Sequence, residues 1–134
     1  DDPFPDETGT VADVLLRVHR SYLRALEPVL DAVHAMAHIT GGGLPGNLTR
    51  ALPSGLDAVV EAASWRVPNV FRTLERAGGV SRDEMFRAFN MGVGMVVVCP
   101  PEGVDRVIAG ARAKDTDAWP LGEVRPGSGL VTFV

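Results

Sequence analysis

Three consecutive glycines, Gly41–Gly43, form the segment best suited to bind a ligand. A short apolar stretch precedes them and a helix-forming stretch follows, so we expect a strand-to-helix turn here. Glycine lets a backbone approach a ligand closely, and a helix start leaves N–H groups without acceptors, which favours an anion such as phosphate. Thr40 adds a hydroxyl, and Asn47 adds an amide or a helix cap. We therefore predict that Thr40, Gly41, Gly42, Gly43 and Asn47 bind phosphate or substrate.

The glycine segment is not assigned to either of two common phosphate-binding motifs. No Gly-Lys-Ser/Thr follows it, as in a Walker A loop. Gly41, Gly43 and Gly46 do have Gly-x-Gly-x-x-Gly spacing, but we do not take the segment as a dinucleotide fingerprint with an acidic residue downstream on a second strand. The simplest alternative is a tight turn that holds no ligand. Three glycines lose more backbone entropy on folding than a plain turn requires, and this favours a ligand-binding turn.

Two further side chains could act beside this turn. His38 lies two residues before Thr40, so in a regular strand the two share a face, and histidine moves protons near neutral pH. His38 is the candidate catalytic residue, with an ordinary core or edge histidine as the alternative. Asn90 precedes Gly92 and Gly94 in a second glycine turn, where its amide could contact a ligand or tie the two turns together. A bulge or a packed crossing is the alternative there.

Composition narrows the classes of function. The 134 residues suffice for one domain, and 13 basic against 17 acidic residues give a net charge of −4, which argues against nucleic acid as a partner. Cys99 is the one cysteine, so we expect an inert buried thiol and no disulfide. His19 and His34 lack partners at metal-ligand spacing, so we predict surface positions and no metal site. No apolar run approaches a bilayer span and no signal segment is visible, so we expect a cytoplasmic protein without a membrane partner.

Periodicity predicts strands that alternate with helices. The predicted helices cover Thr10–Val18, Pro28–Ala35, Gly46–Leu52, Pro68–Gly78, a segment from Ser81 with a Ser81–Glu84 capping box, and Val104–Ala111. The predicted strands cover Ala37–Thr40, Leu56–Ala62, Met95–Cys99, Trp119–Val124 and Leu130–Val134. This order indicates an α+β or α/β domain in which helices cover one sheet. Trp65 and Trp119 are expected to be core or interface aromatics.

A series of motifs resembles one enzyme family. The series is His38–Leu44 with Asn47, then Ser64-Trp65 before Pro68 and Phe71, then Glu84–Arg87, then Phe89–Met95. In this order, the chain from about Leu15 onward resembles the carboxy-terminal half of the phosphoribosylformylglycinamidine cyclo-ligases, or aminoimidazole ribonucleotide synthetases. The resemblance implies an α+β layered domain with one mixed, mainly antiparallel sheet of about four to five strands. It also implies that residues 1–9 are an acidic, Pro-rich linker remnant, that residues 10–134 are this domain, and that the amino-terminal domain lies outside the chain.

The same resemblance implies an ATP-dependent reaction in purine biosynthesis. Members close the imidazole ring of formylglycinamidine ribonucleotide to give aminoimidazole ribonucleotide, ADP and phosphate, which requires anchored phosphates and charge stabilisation. The resemblance implies that the Thr40–Gly43 turn binds the substrate phosphate or forms part of the cleft wall. It also implies that His38 transfers a proton or orients the substrate, and that Asn90 makes a secondary contact with the substrate.

The resemblance also describes the expected partners. ATP and Mg²⁺ would be bound mostly by the amino-terminal domain of a homodimeric full-length enzyme. The present chain alone would need no cofactor and would be inactive. Two alternatives stay open. One is a domain of a related enzyme, such as a formylglycinamidine synthetase, a selenophosphate synthetase or a thiamine-monophosphate kinase. The other is a stand-alone, non-catalytic anion-binding or interaction module.

Overall fold

Five strands and six α-helices are interspersed along residues 2–134, the part of the chain that the computed structural model describes. The helices are α1 (Val11–Leu15), α2 (Leu23–Leu26), α3 (Gly43–Ala51), α4 (Asn69–Gly78), α5 (Arg82–Ala88) and α6 (Val104–Arg112), with 3-10 segments at Glu27–Ala32 and Pro101–Gly103. The strands are β1 (Ala35–His38), β2 (Leu56–Val60), β3 (Met95–Val98), β4 (Gly122–Pro126) and β5 (Val131–Phe133).

The strands form two sheets. β1 pairs antiparallel with β3, and β2 lies between β4, to which it is antiparallel, and β5, to which it is parallel. The α+β class is confirmed, but the described strands divide into a two-stranded and a three-stranded sheet instead of joining one sheet of four to five. Two more backbone hydrogen bonds extend the β1–β3 pairing beyond the ends of the strands. His34 N–H donates to Val98 O at one end, and Ile39 N–H donates to Gly94 O at the other.

The core lies where α3 and α5 cover these strands. Ile39, Leu44 and Met85 have almost no exposed surface, and each such side chain contributes about 1.5–3 kcal/mol on burial. Along β1 the burial alternates, since Ala37 is buried while Met36 and His38 are exposed. The strand therefore presents His38 on the face opposite the core.

Local helix signals are confirmed where side chains supply the caps. Thr10 begins α1, and its side chain and that of Asp13 form a capping box. Ser81 Oγ accepts a hydrogen bond of 3.3 Å from Glu84 N–H at the start of α5, so the serine cap is confirmed, but within residues 2–134 the Glu84 side chain makes no return bond to Ser81 N–H and the predicted capping box is only half formed. Gly79, with φ +59°, ends α4 in the left-handed conformation.

Several boundaries differ from the prediction. α1 ends at Leu15, three residues before Val18, and the segment around Pro28 is a 3-10 helix that ends at Ala32. β1 ends at His38 instead of Thr40, and β4 begins at Gly122 instead of Trp119. α3 begins at Gly43 instead of Gly46, so the last of the three glycines belongs to the helix.

The acidic first residues contact the domain. Phe4 is only 6% exposed, and Pro3 forms an isolated antiparallel bridge with Thr10. Asp6 accepts a 2.9 Å hydrogen bond from Arg76 of α4. Asp1 lies outside the described residues, and the linker interpretation of residues 1–9 stays a prediction. No helix within residues 2–134 combines the length and the apolar character needed to cross a bilayer.

Candidate functional site

The triple-glycine turn is fixed at both ends and open in the middle. On the strand side, Ile39 is buried and its N–H donates to Gly94 O at 2.9 Å. On the helix side, Gly43 N–H donates to Thr40 O at 3.0 Å. Between these points Thr40, Gly41 and Gly42 are exposed. Within residues 2–134, the N–H groups of Gly41 and Gly42 have no hydrogen-bond acceptor, so both are free to bind an anion.

The three glycines have different structural roles. Gly42 caps α3 with φ +96°, and Gly43 has φ +57°, both in the region that L side chains rarely adopt. A Cβ on Gly43 would also overlap the carbonyl oxygen of Phe86 in α5. A Cβ on Gly41 would meet nothing within 4 Å. Gly43 is therefore required for packing and Gly42 for backbone conformation, whereas Gly41 is constrained by neither.

Asn47 supports the turn from inside the protein. Its side chain is 7% exposed, and Nδ2 donates to Gly43 O at 2.7 Å and lies 3.4 Å from both Thr40 O and Gly41 O. Its Oδ1 accepts a 2.6 Å hydrogen bond from Arg50 Nη2. Both ends of the amide are thus used within the protein. The prediction that Asn47 contacts phosphate directly stays untested, and the geometry gives Asn47 a supporting position.

Arg50 is a neighbour of the turn that the sequence prediction missed. It follows Asn47 by three residues on α3, the spacing at which helical side chains meet. Arg50 is exposed, and its guanidinium is hydrogen-bonded to a neutral amide and forms no ion pair within residues 2–134. This i, i+3 spacing between Asn47 and Arg50 is the sequence feature that could have identified Arg50. An anion at the turn would therefore meet two free N–H groups, and Arg50 is connected to the same turn through Asn47.

The second glycine turn is stabilised by Asn90 itself. Asn90 Oδ1 accepts from Gly92 N–H at 2.9 Å, and Asn90 O accepts from Val93 N–H at 2.9 Å. Met91 has φ +52° and its carbonyl accepts a 2.9 Å hydrogen bond from Trp65 Nε1, so Trp65 is a structural aromatic here. The Nδ2 group of Asn90 makes no hydrogen bond within residues 2–134, so it remains a donor for a ligand.

The two turns share supporting elements. The bond from Ile39 N–H to Gly94 O joins the strand before the first turn to the end of the second turn. The Phe89 carbonyl, next to Asn90, would lie 3.0 Å from a Cβ on Gly43. The two turns are therefore connected by backbone atoms of Ile39, Gly94 and the end of α5. Asn90, whose side chain bonds within its own turn, does not make this connection.

His38 lies at the end of β1 with its ring exposed. The rings of His19 and Tyr22 approach it edge-on, with centroids 5.8 Å and 6.1 Å from that of His38. Gly94 makes this arrangement possible, because a Cβ there would overlap the Tyr22 hydroxyl. His19 and His34 are exposed, as predicted. The catalytic role of His38 stays a prediction, since the contacts around it are aromatic and it has no carboxylate hydrogen bond within residues 2–134.

The remaining titratable groups are spread over the domain. No group of three or more His, Cys, Asp or Glu side chains within residues 2–134 is placed to hold a metal ion. Cys99 is half-buried; burial, and secondarily the charge of Glu102, raise the pKa of its thiol. At neutral pH the thiol stays protonated, in agreement with an inert cysteine.

Comparison with known families decides the relationship of this chain. Residues 1–134 match the family model described as "AIR synthase related protein, C-terminal domain". The chain belongs to this family. Curated relatives named phosphoribosylformylglycinamidine cyclo-ligase include those of Anaeromyxobacter sp. (strain Fw109-5), 46% identical over 125 residues, and Parasynechococcus marenigrum (strain WH8102), 42% identical over 127 residues. Another, from Sorangium cellulosum (strain So ce56), is 46% identical over 127 residues.

The matches cover nearly the whole chain but only part of each relative. They include 92% of this chain and 36–37% of the length of these three relatives. The AIR synthase related C-terminal domain therefore corresponds to about a third of a longer enzyme in those organisms. The family resemblance inferred from the glycine turns and the Ser64-Trp65 motif is confirmed.

Proposed function

We propose that this domain forms one wall of the active site of an ATP-dependent cyclo-ligase that converts formylglycinamidine ribonucleotide to aminoimidazole ribonucleotide. The observation that carries the proposal is the exposed turn at Gly41 and Gly42, with two N–H groups free at the start of α3. The names of the relatives support the reaction class. The ligand of the turn is the substrate phosphate, which is bound by these N–H groups, with Arg50 and the Thr40 hydroxyl close by.

The remaining proposed roles belong to His38 and Asn90 in this domain and to the part of the enzyme outside it. His38 orients the substrate or moves a proton, and Asn90 offers its free Nδ2 group as a secondary contact. We propose that ATP and Mg²⁺ are bound mainly by the part of the complete enzyme that lies outside the matched region of the relatives. We propose that the complete enzyme is a cytoplasmic homodimer and that the isolated domain is inactive.

Phosphate binding is testable on the 134-residue chain. In ¹⁵N–¹H spectra titrated with ribose 5-phosphate, we expect the amide signals of Gly41 and Gly42 to shift saturably. Gly41→Val should weaken this binding about tenfold, because the added side chain shields the N–H groups without meeting any atom within 4 Å at its Cβ. Gly46→Ala, in the first part of α3 and also free of contacts, is the control and should bind normally. Shifts confined to other residues would contradict the phosphate assignment.

Catalysis requires the rest of the enzyme. We propose replacing the matched third of the Anaeromyxobacter relative by these 134 residues and measuring ATP-dependent turnover of formylglycinamidine ribonucleotide. The chimera should be active, and His38→Ala should lower kcat by about 10²-fold or more if His38 transfers a proton. A soluble, folded chimera without turnover would refute the proposed reaction, and full activity of His38→Ala would remove His38 from the mechanism.

A further inference from the structure

A cavity of about 660 Å³ takes no part in the proposed phosphate site. Its wall is formed by β3, α2, α6, the segments 64–66 and 116–121, Arg20 and Tyr22 before α2, and residues 92–94 of the second glycine turn, whereas none of the residues from His38 to Asn47 lines it. Its volume lies within the range of about 300–1,000 Å³ that small-molecule sites occupy. We call it the arginine cavity, after the three residues Arg20, Arg66 and Arg112 in its lining.

The charge of the arginine cavity contrasts with that of the chain. The protein carries a net charge of −4, yet three arginines line this cavity and Asp117 is the one carboxylate among its lining residues. The two ion pairs found within residues 2–134 are Arg76–Asp6 and Arg106–Asp31, and neither involves an arginine of the cavity. The positive charges are therefore not neutralised by ion pairing and attract an anion.

Two of the arginines are held at one side of the cavity. Arg20 Nη1 donates to Asp115 O at 2.6 Å, and Arg112 Nη2 donates to Ala118 O at 3.1 Å. Both acceptors are neutral carbonyls of the segment 115–118, so the guanidinium groups are oriented but keep their charge and further N–H donors. Arg66 makes no side-chain hydrogen bond within residues 2–134, so it is free to close on a ligand.

The wall also contains polar atoms without partners. Ser64 Oγ and Trp119 Nε1 are buried, belong to lining residues, and have no hydrogen-bond partner within the described chain. A buried polar group left unpaired is destabilising, so such groups are uncommon in native proteins. Around them the wall is apolar, with Val96, Val97 and Ile108. An apolar surface that contains hydrogen-bonding groups suits a flat heterocycle better than a hydrocarbon chain.

We propose that the arginine cavity binds a small phosphate monoester of a planar heterocycle, the chemical class of a nucleoside monophosphate. The phosphate meets the guanidinium groups of Arg20, Arg66 and Arg112, and the heterocycle lies on the apolar wall. Its ring acceptors are available to the Ser64 hydroxyl and the Trp119 indole N–H. The residues of the turn at Gly41–Gly43 do not line this site, although Tyr22 beside His38 and Gly94 beside Ile39 do.

The test uses adenosine 5′-monophosphate and the indole N–H signal of Trp119 in ¹⁵N–¹H spectra of the 134-residue chain. We expect a saturable shift with a dissociation constant at or below about 1 mM. Arg66→Met should weaken binding about tenfold, because Arg66 contributes a charge to the phosphate but no hydrogen bond to the fold. Arg87→Met, an exposed arginine of α5 outside the cavity, is the matched control and should leave binding unchanged.

A second variant separates binding from packing. Ser64→Ala should leave the urea midpoint of the unliganded chain unchanged or raise it, because it removes an unpaired buried hydroxyl. The same variant should weaken nucleotide binding several-fold. A purely structural Ser64 would lower the midpoint and leave the affinity unchanged, which would remove Ser64 from the site.

Three results would overturn the proposal. No Trp119 shift at about 5 mM nucleotide would exclude a site of useful affinity. Shifts confined to the Gly41–Gly43 amides would assign the nucleotide to the glycine turn, and equal binding of inorganic phosphate would exclude the heterocycle. Ribose 5-phosphate binding at Gly41 and Gly42 is scored separately, so failure at one site is distinguishable from failure at the other.

Discussion

Replacing Gly43 by alanine tests whether the glycine turn depends on its contact with α5. Gly43 has φ +57°, and holding an L residue there costs about 1–2 kcal/mol. The new Cβ would also overlap the Phe86 carbonyl oxygen, which is backbone and cannot rotate away. Forcing such an overlap apart adds about 1–3 kcal/mol. The expected loss is about 2–5 kcal/mol, a large part of the 5–15 kcal/mol by which a domain is folded.

Gly46→Ala is the matched control in the same helix. A Cβ there meets nothing within 4 Å, so the substitution should stabilise the protein by about 0.5–1 kcal/mol through helix propensity. Urea unfolding followed by circular dichroism gives both free energies of unfolding. In thermal unfolding, Gly43→Ala should lower Tm by roughly 6–15 °C. If Gly43→Ala lies within about 0.5 kcal/mol of the wild type, α3 and α5 are not packed as described and the reasoning fails.

Three further predictions concern single groups. Asn47→Ala should cost about 1–2 kcal/mol in urea unfolding, since the 2.7 Å bond to the turn is lost; a neutral result would show that the amide does not support the turn. Backbone donation from Leu130 and Ser128 holds the pKa of Asp57 below its ordinary value, so its contribution to stability is full above about pH 4 and is lost as pH falls through the lowered pKa. The difference in urea midpoint between wild type and Asp57→Asn should therefore shrink between about pH 6 and about pH 3, and a constant difference would contradict this. Cys99, whose thiol pKa is raised by burial, should react with a disulfide reagent at about pH 7 more slowly than glutathione does; a faster reaction would show an activated thiolate.

Features that depend on neighbouring residues were predictable from the sequence. The helix beginning after Ser81 was predicted from a serine three residues before a glutamate, and the Ser81 hydroxyl does cap it. The strand at Leu56 was predicted from aliphatic content and begins at that residue. The triple glycine was predicted to be a strand-to-helix turn, and it follows β1 and begins α3. In each case the decisive interactions lie within a few residues.

Features that depend on distant residues were not predictable in this way. The first residue of α3, Gly43, lies against the Phe86 carbonyl of α5, a contact that no local pattern indicates. The inward position of Asn47 depends on the folded shape of the turn above it. The division of the strands into two sheets depends on long-range pairing, such as the parallel contact between β2 and β5. Periodicity gives a strand its faces but not its partners.

The close contact between Gly43 and α5 has a consequence for protein engineering. The shape of the glycine turn depends on carbonyl groups from Phe86 and Phe89, far along the chain. A short peptide spanning the turn, or the same residues transplanted into an unrelated scaffold, would lack that wall and would sample many other conformations. To carry the proposed phosphate-binding geometry elsewhere, a designer would have to transfer α5 together with α3, as one paired unit.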